Sequence, residues 1–534
     1  MSADGGGSGL GGFSSAPSAD ELAAFPRNDL GNAQRLVRMV GGRWLDDGTA
    51  DHTDAVLLYL RNRGWIAYNG RFWDLKAGED MARRMAHRVA AALGSQTVAA
   101  CEHHRIPAAL WLEFVTRSGN SGSTSAMLNQ AASYLTVDLE DFDRDPLAVN
   151  VANGTLKFDR KDGAWGPSLH PHVARDRITR MAETAYDKGA KRPLFDGLLK
   201  FSQPSEEMRD FLQALLGYCV TGSTREQLFV ILQGKGGDGK STMMNAIRAA
   251  IGTYSAGASI ETFLDTGLRR ANEASPDLAR LAGDTRLVST GEPPRGSKLA
   301  TAAIKTWTGE GTVQARELRQ SFFEFTPKGK VVMECNQRPA INDTDDGIWR
   351  RMRIVLFERQ VPKADMDKGL PEKLKGERAG ILNWLLDGIG MWLENGLKSP
   401  AAVDEALEDY RRGSNPFADW LHERVVFDPE SVVPAGIFFR SYKDYCEANG
   451  VERPMSQTTF GKALGDHQIL LAGKDSKGNK RRRGARIRPD HEFMGSDEGA
   501  SPGGSVASGA RGGPPLDDPR FADIGPDDEY RGDE

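Results

Sequence analysis

LFVILQGKGGDGKSTMMNAIRAAIG, residues 228–252, reads as strand, loop and helix in immediate succession. LFVILQ has the length and apolar composition of a buried strand. The octet Gly234-Lys235-Gly236-Gly237-Asp238-Gly239-Lys240-Ser241 matches G-x-x-x-x-G-K-[ST], and from Thr242 the chain reads as a helix with an apolar face, ended by Gly252. Glycines let the backbone curl so that successive N–H groups converge on phosphate oxygens, an approach a Cβ would obstruct. The helix N-terminus adds partial positive charge. Lys240 would then set a point charge on the β and γ phosphates and Ser241 would ligate Mg2+, making residues 234–242 the expected site for ATP and Mg2+.

Hydrolysis also needs a carboxylate on a neighbouring strand and a group that senses the γ-phosphate. TRLVSTGE (285–292) is a short strand ending in Glu292, and VVMECN (331–336) is another ending in Asn336. Glu292 is placed to polarise the attacking water and Asn336 to hold that water or the phosphate. GIWRRMR (347–353) sets Arg350 and Arg351 where a transition-state arginine would come from an adjacent subunit. Gly291 stands immediately before Glu292, so no second acid accompanies it. Metal ligation is then expected to rest on Ser241, phosphate and water, with Glu292 assisting.

The order of these pieces, together with LATAAIKTWTGEGTVQAREL (299–318) and DTDDGIWRRMR (343–353), resembles superfamily 3 helicases. More closely, it resembles the phage and plasmid primase–helicases related to the poxvirus primase–helicase. DLGNAQRLV (29–37), the VNVANGTL region and LPEKLKGERAGILNWLLDGIGMW (370–392) extend the likeness over most of residues 27–490. The resemblance implies an α/β P-loop NTPase core, AAA+-like, in a ring, usually a hexamer, translocating on single-stranded DNA with ATP sites between subunits. It casts Glu292 as the Walker B carboxylate, Asn336 as sensor, and Arg350 or Arg351 as a finger acting in trans. It also implies that Lys305, Arg316, Arg319 and Lys328 face DNA in a central channel. Fewer than 240 residues precede the loop and they show no carboxylate cluster, so primase activity is not expected.

Outward from the core, residues 1–25 (GGGSGLGGFSSAPSAD and its flanks) and 491–534 are expected to be disordered tails, the second acidic. Residues 26–160 read as an N-terminal α+β domain with a hairpin at Asn153-Gly154, 161–223 as a helical linker or collar, and 224–395 as the ATPase domain. A helical connector (396–413) leads to residues 414–490, which read as helix, helix and β-hairpin, a winged-helix pattern with Ser456 as an N-cap. Its basic run, Lys480, Arg481, Arg482 and Arg483, suits DNA phosphates.

Composition sets the outer bounds. Apolar residues make up 39% and the net charge is −5, which excludes a basic protein overall while hiding that local run. Four widely spaced cysteines exclude a disulfide scaffold, and His103 and His104 beside Cys101 lack a second ligand cluster for zinc. No apolar run reaches membrane-spanning length and no signal peptide is visible, so a cytoplasmic setting is expected, that of a bacterial host for a phage or mobile element. The implied activity is unwinding of forked DNA during replication, with a primase, polymerase or single-strand-binding protein as possible partner. Two other readings fit the same residues: a packaging or remodelling ATPase that does not unwind, and a non-catalytic ATP-binding platform at an origin.

Overall fold

Alternate residues of the LFVILQ segment serve two different cores. Val230 and Leu232 enter one apolar cluster while Phe229 and Ile231 enter another, the period-2 signature of a strand covered on both faces. The computed structural model describes residues 17–265, 276–309, 311–316, 322–341, 346–414, 416–449 and 454–489. It divides into two units, one ending at Pro416 and the other starting at Phe417.

The first unit is built round a five-stranded parallel sheet. Its elements in chain order are α1 (Pro193–Ser202), α2 (Glu206–Val220), β1 (Phe229–Gly234), α3 (Lys240–Ile251), β2 (Ser255–Ala258), β3 (Leu287–Thr290), β4 (Lys330–Cys335), β5 (Met352–Phe357) and α4 (Arg378–Asn395). The strand order is β2-β3-β4-β1-β5, so β1 is hydrogen-bonded to parallel partners on both sides. Helices α1 to α4 cover one face. The Thr301–Thr308 helix and the Ala401–Ser414 helix, through Ala406 and Tyr410, cover the other.

That packing revises two boundaries. Residues 161–223 are not a separate collar, because Phe195, Leu212, Leu215 and Leu216 share a core with β1 and α3. Nor is 396–413 a free connector, since its helix packs on the sheet. The helices α2 and α4 approach backbone to backbone: a Cβ on Gly388 would lie 2.0 Å from the Gln213 carbonyl oxygen, and one on Gly217 would lie 2.5 Å from the Gly388 carbonyl carbon.

The N-terminal part of this unit packs three helices (Asp29–Met39, Gly78–Ala92, Ser121–Tyr134) against a small sheet containing Leu57–Leu60 and Gly64–Tyr68. Ala82, Met85, Ala86 and Val89 line the buried stripe of the second helix. The expected hairpin is present, with Val151 paired to Gly154. A third strand, Ala164–His170, pairs along Gly154–Lys161, so the division expected at residue 160 runs through a strand. The expected tail up to residue 25 is also shorter than its composition implies. Ala19–Ala23 is a short helix capped by Ser18, and Ala23 is buried against Leu93, Ala100 and Trp111.

Buried charge locks β3 to its surroundings. Arg286, 1% exposed, pairs with Asp284, 0% exposed, donates to the Val220 carbonyl at 3.0 Å and lies 4.4 Å from the Tyr254 ring centroid. Tyr254 in turn accepts the Asn150 backbone N–H at 2.9 Å, and Lys328 Nζ donates to the Asp143 carbonyl at 2.7 Å.

In the second unit, helices Ala435–Ala448 and Gln457–Asp466 pack with the Pro416–Arg424 helix round Trp420, Phe438, Tyr442 and Phe460. The antiparallel sheet has Lys480–Ile487 between Val425–Pro434 and Leu470–Lys474. Ser456 caps the second helix, its hydroxyl accepting the Thr459 N–H at 3.2 Å. The acidic tail expected after residue 490 lies outside the described residues.

Two substitutions test this packing by chemical denaturation. Arg286→Met leaves a buried carboxylate without its cation and is expected to cost about 3–5 kcal/mol. Gly388→Ala forces a methyl group onto a backbone carbonyl and is expected to cost about 1–3 kcal/mol. A loss under about 0.5 kcal/mol in either variant, the range of an ordinary surface change, would contradict the contact concerned.

Candidate functional site

The loop between β1 and α3 closes on itself through one carboxylate. Gly236, Gly237 and Gly239 have φ of 87°, 66° and 89°, a region that side chains with a Cβ rarely adopt. Their turn brings Asp238 back over the loop, where its carboxylate accepts the Gly236 and Lys240 N–H groups at 3.2 Å each and pairs with the Lys240 ammonium. Asp238 is 2% exposed and Lys240 is 5% exposed. Gly234 forms the floor: a Cβ there would lie 2.0 Å from Asp238 Oδ2 and 2.8 Å from Lys240 Nζ. Two N–H groups and an ammonium round one negative group make an anion cradle, here filled from within. Lys235 is exposed and Thr242 half-buried at its rim.

Neighbouring segments brace the loop from outside. Ser202 Oγ, at the end of α1, donates to the Asp238 carbonyl at 2.8 Å. The Gln360 side-chain amide donates to the Gly236 carbonyl and the Val361 N–H to that of Gly237, both at 2.8 Å. Nothing in the sequence marked these three positions, because each is defined by where a distant segment ends.

The C-terminal ends of β3 and β4 supply the other polar groups. Glu292, just beyond β3, accepts the Asn336 backbone N–H at 3.2 Å and its side-chain N–H at 3.0 Å. The structure therefore brings together the two strand-end residues singled out in the sequence. It adds one that was missed: Glu334, which pairs in register with Leu232 and accepts the Ser241 hydroxyl at 2.6 Å. The available signal was a lone acid in an otherwise apolar run, VVMEC. Cys335 beside it is not a nucleophile, since burial pushes its thiol up to about 11.

The two arginines after the Asp346–Trp349 helix differ. Arg350 is exposed, whereas Arg351 is 9% exposed and donates to the Gly347 carbonyl. Of the basic residues expected to meet DNA, Lys305 and Arg316 are half-buried, Arg316 stacking 4.5 Å from the Phe322 ring centroid, and Arg319 lies outside the described residues. Lys328 is turned instead into the Asp143–Asp284 cluster. In the second unit Lys480 and Arg483 are exposed and Arg481 half-buried. Arg482 is 8% exposed and donates to the carbonyls of Ile469 and Gly461. Arg482 lies on the covered side of its strand, so it fastens the hairpin to the preceding helix and is not a surface cation. His104 is bonded to the Ala23 carbonyl at 2.9 Å, and among the described residues no group of three or more His, Cys, Asp or Glu is arranged to hold a metal. No helix among them is long and apolar enough to cross a membrane.

Residues 34–204 match the family described as D5 N terminal like, 232–351 a family of unknown function (DUF5906) and 412–481 the Poxvirus D5 protein-like family. A candidate helicase of Acanthamoeba polyphaga mimivirus, L207/L206, is 29% identical over 248 residues, 43% of this chain and 26% of that protein. A candidate helicase of Frog virus 3, 022R, is 26% identical over 48% of this chain and 28% of that protein. The candidate primase C962R of African swine fever virus (strain Badajoz 1971 Vero-adapted) is 22% identical over 58% of this chain and 34% of that protein. The chain thus spans about a third or less of the length of these relatives. Among solved structures, the apo NrS-1 C terminal region (305–718) aligns with 61% of this chain and 95% of that one, at 11% identity and a TM-score of 0.37. Two segments of the chain, residues 34–204 and 412–481, thus match models of poxvirus D5 type, and the matched relatives in large DNA viruses carry the names helicase or primase, a likeness to primase–helicases related to the poxvirus D5 protein.

Proposed function

We propose that the chain is an ATP-dependent DNA helicase of superfamily 3, with a P-loop NTPase core and a winged-helix unit that binds DNA. The observation that carries this reading is the anion cradle of Gly236, Lys240 and Asp238 at the C-terminal edge of a parallel sheet. At that same edge the Glu292–Asn336 pair stands two residues beyond the serine's partner Glu334. Open α/β sheets bind their ligands at that edge.

Phosphate would displace the Asp238 carboxylate and take over its N–H donors and the Lys240 ammonium. The oxygen donors near the loop, the Ser241 hydroxyl and strand-end carboxylates, suit Mg2+, a hard cation that keeps several waters. Mg2+ would supply charge neutralisation between the β and γ phosphates. Glu292 is the general base: its carboxylate, aligned by two N–H bonds from Asn336, takes a proton from the attacking water. Arg350, exposed just before β5, is the residue to reach a neighbouring subunit's site, and the burial of Arg351 removes it from that role. The working assembly is then a ring, with ATP sites between copies and single-stranded DNA as the track. In the winged-helix unit, Lys480, Arg481 and Arg483 form the DNA-facing set.

Steady-state ATP hydrolysis is expected to rise with single-stranded DNA and to fall about 100-fold or more in Lys240→Ala. Hydrolysis indifferent to DNA would favour a remodelling or packaging ATPase, and failure to displace a strand from a forked duplex would exclude the helicase. Asp238→Asn removes the internal anion but keeps a side chain of similar size, and should tighten ATP binding in a fluorescence titration. Unchanged or weaker binding would show that the carboxylate does not compete with phosphate.

For DNA binding, Arg481→Ala with Arg483→Ala is expected to reduce the slope of log K against log salt by about 2, one for each phosphate contact. Arg482→Ala should instead lower the melting temperature of the C-terminal unit. The reverse pattern would overturn the assignment of these three residues.

A further inference from the structure

The reading above gives Glu334 no duty of its own among the strand-end carboxylates, and its position calls for one. It is the only acid in β4, where Val331, Val332 and Met333 are fully buried and Cys335 is 2% exposed. An acid in such a strand forfeits apolar burial, yet its Oε2 holds the Ser241 hydroxyl at 2.6 Å. Ser241 is the second residue of α3, on the turn that follows the anion cradle. The register that sets Glu334 beside Leu232 carries its carboxylate to this turn from the strand next to β1.

The other carboxylate at the edge is already engaged elsewhere. Glu292 is directed at Asn336, which holds it by backbone and side-chain N–H groups. The position before it is Gly291, where a Cβ would meet nothing within 4 Å. A second acid is thus absent from β3 although space would permit one. Besides Asp238 within the loop, the site has one carboxylate just beyond β3, turned to the sensor asparagine, and one on β4, turned to the serine.

We infer that Glu334 is the protein carboxylate that holds the divalent cation accompanying the nucleotide, acting on the Ser241 side of the loop, directly or through a bound water. The inference rests on the nucleotide reading of the loop. It separates two duties: Glu334 secures the cation, and Glu292 with Asn336 orients the water. In the nucleotide-free loop the Ser241 hydroxyl donates to Glu334, and Ser241 and Glu334 would give up that contact to hold the cation.

The test is binding of a fluorescent ATP analogue to the full chain, titrated with Mg2+ and repeated in excess EDTA, with Mn2+ binding followed by electron paramagnetic resonance. Glu334→Gln is expected to leave cation-free nucleotide binding within about twofold of the wild type. It should raise the Mg2+ and Mn2+ half-saturation about 10- to 100-fold, the range seen when a group supporting a metal site is lost. Glu334→Asp should recover part of that loss, whereas Glu292→Gln should stop hydrolysis and leave the cation half-saturation unchanged. Unaltered Mg2+ dependence in Glu334→Gln, or an equal loss of binding with and without cation, overturns the inference and leaves Glu334 as a tether for Ser241. A wild type that binds no nucleotide under either condition overturns the underlying reading instead, and Lys240→Ala provides the reference for that outcome.

Discussion

The parallel pairing of β1 with β4 on one side and β5 on the other is the constraint on which the rest of the unit depends. Parallel neighbours end at the same edge, so groups from three stretches far apart in sequence, residues 234–241, 292 and 334–336, converge. Because β1 is buried on both faces, each of its first four residues is committed to a core, and a slip of one residue would exchange Val230 and Leu232 with Phe229 and Ile231. The loop inherits its position from that register. Ser202 and Gln360, reaching it from either side, then hold its carbonyls in place.

Charge inside this unit is placed where it is matched at once. Asp238 meets Lys240, Asp284 meets Arg286, and Lys330 Nζ donates to the carbonyls of Thr221, Ser223 and Lys328. Burial, with the nearby charges of Arg286 and Lys328, pushes the Lys330 ammonium down to about 7 against the opposing pull of Asp284. The cluster lies away from the loop and joins β3, β4 and the segment after α2. The same economy explains Lys328 and Arg482, two residues whose type suggests DNA and whose surroundings are carbonyls and carboxylates of the chain itself.

Much of this was legible in the residues. The strand–loop–helix stretch, the strand ends at Glu292 and Asn336, the hairpin expected at Asn153-Gly154 and the two helices before the C-terminal hairpin all rest on local rules of spacing, turn chemistry and capping. What escaped depends on distance in sequence. Glu334 becomes polar-paired only through the register of β1 with β4, and the inward face of Arg482 follows from which side of its strand is covered. The helices α1 and α2 read as a linker because their apolar stripes have no local partner; the partner is α4, more than 160 residues later. Low-complexity composition also overstated the N-terminal tail, where Leu22 and Ala23 suffice to seat one turn of helix.

Helix α4 carries three glycines that serve as seats for carbonyl oxygens of three separate segments: Gly380 for Lys191, Gly388 for Gln213 and Gly390 for Trp165. At each seat there is no side-chain layer to yield. A helix held this way behaves as a stiff axle and passes on displacement instead of absorbing it. The outer hairpin, the segment entering α1 and the helix bundle over the sheet are thereby tied to one axis, although they span more than 200 residues of chain.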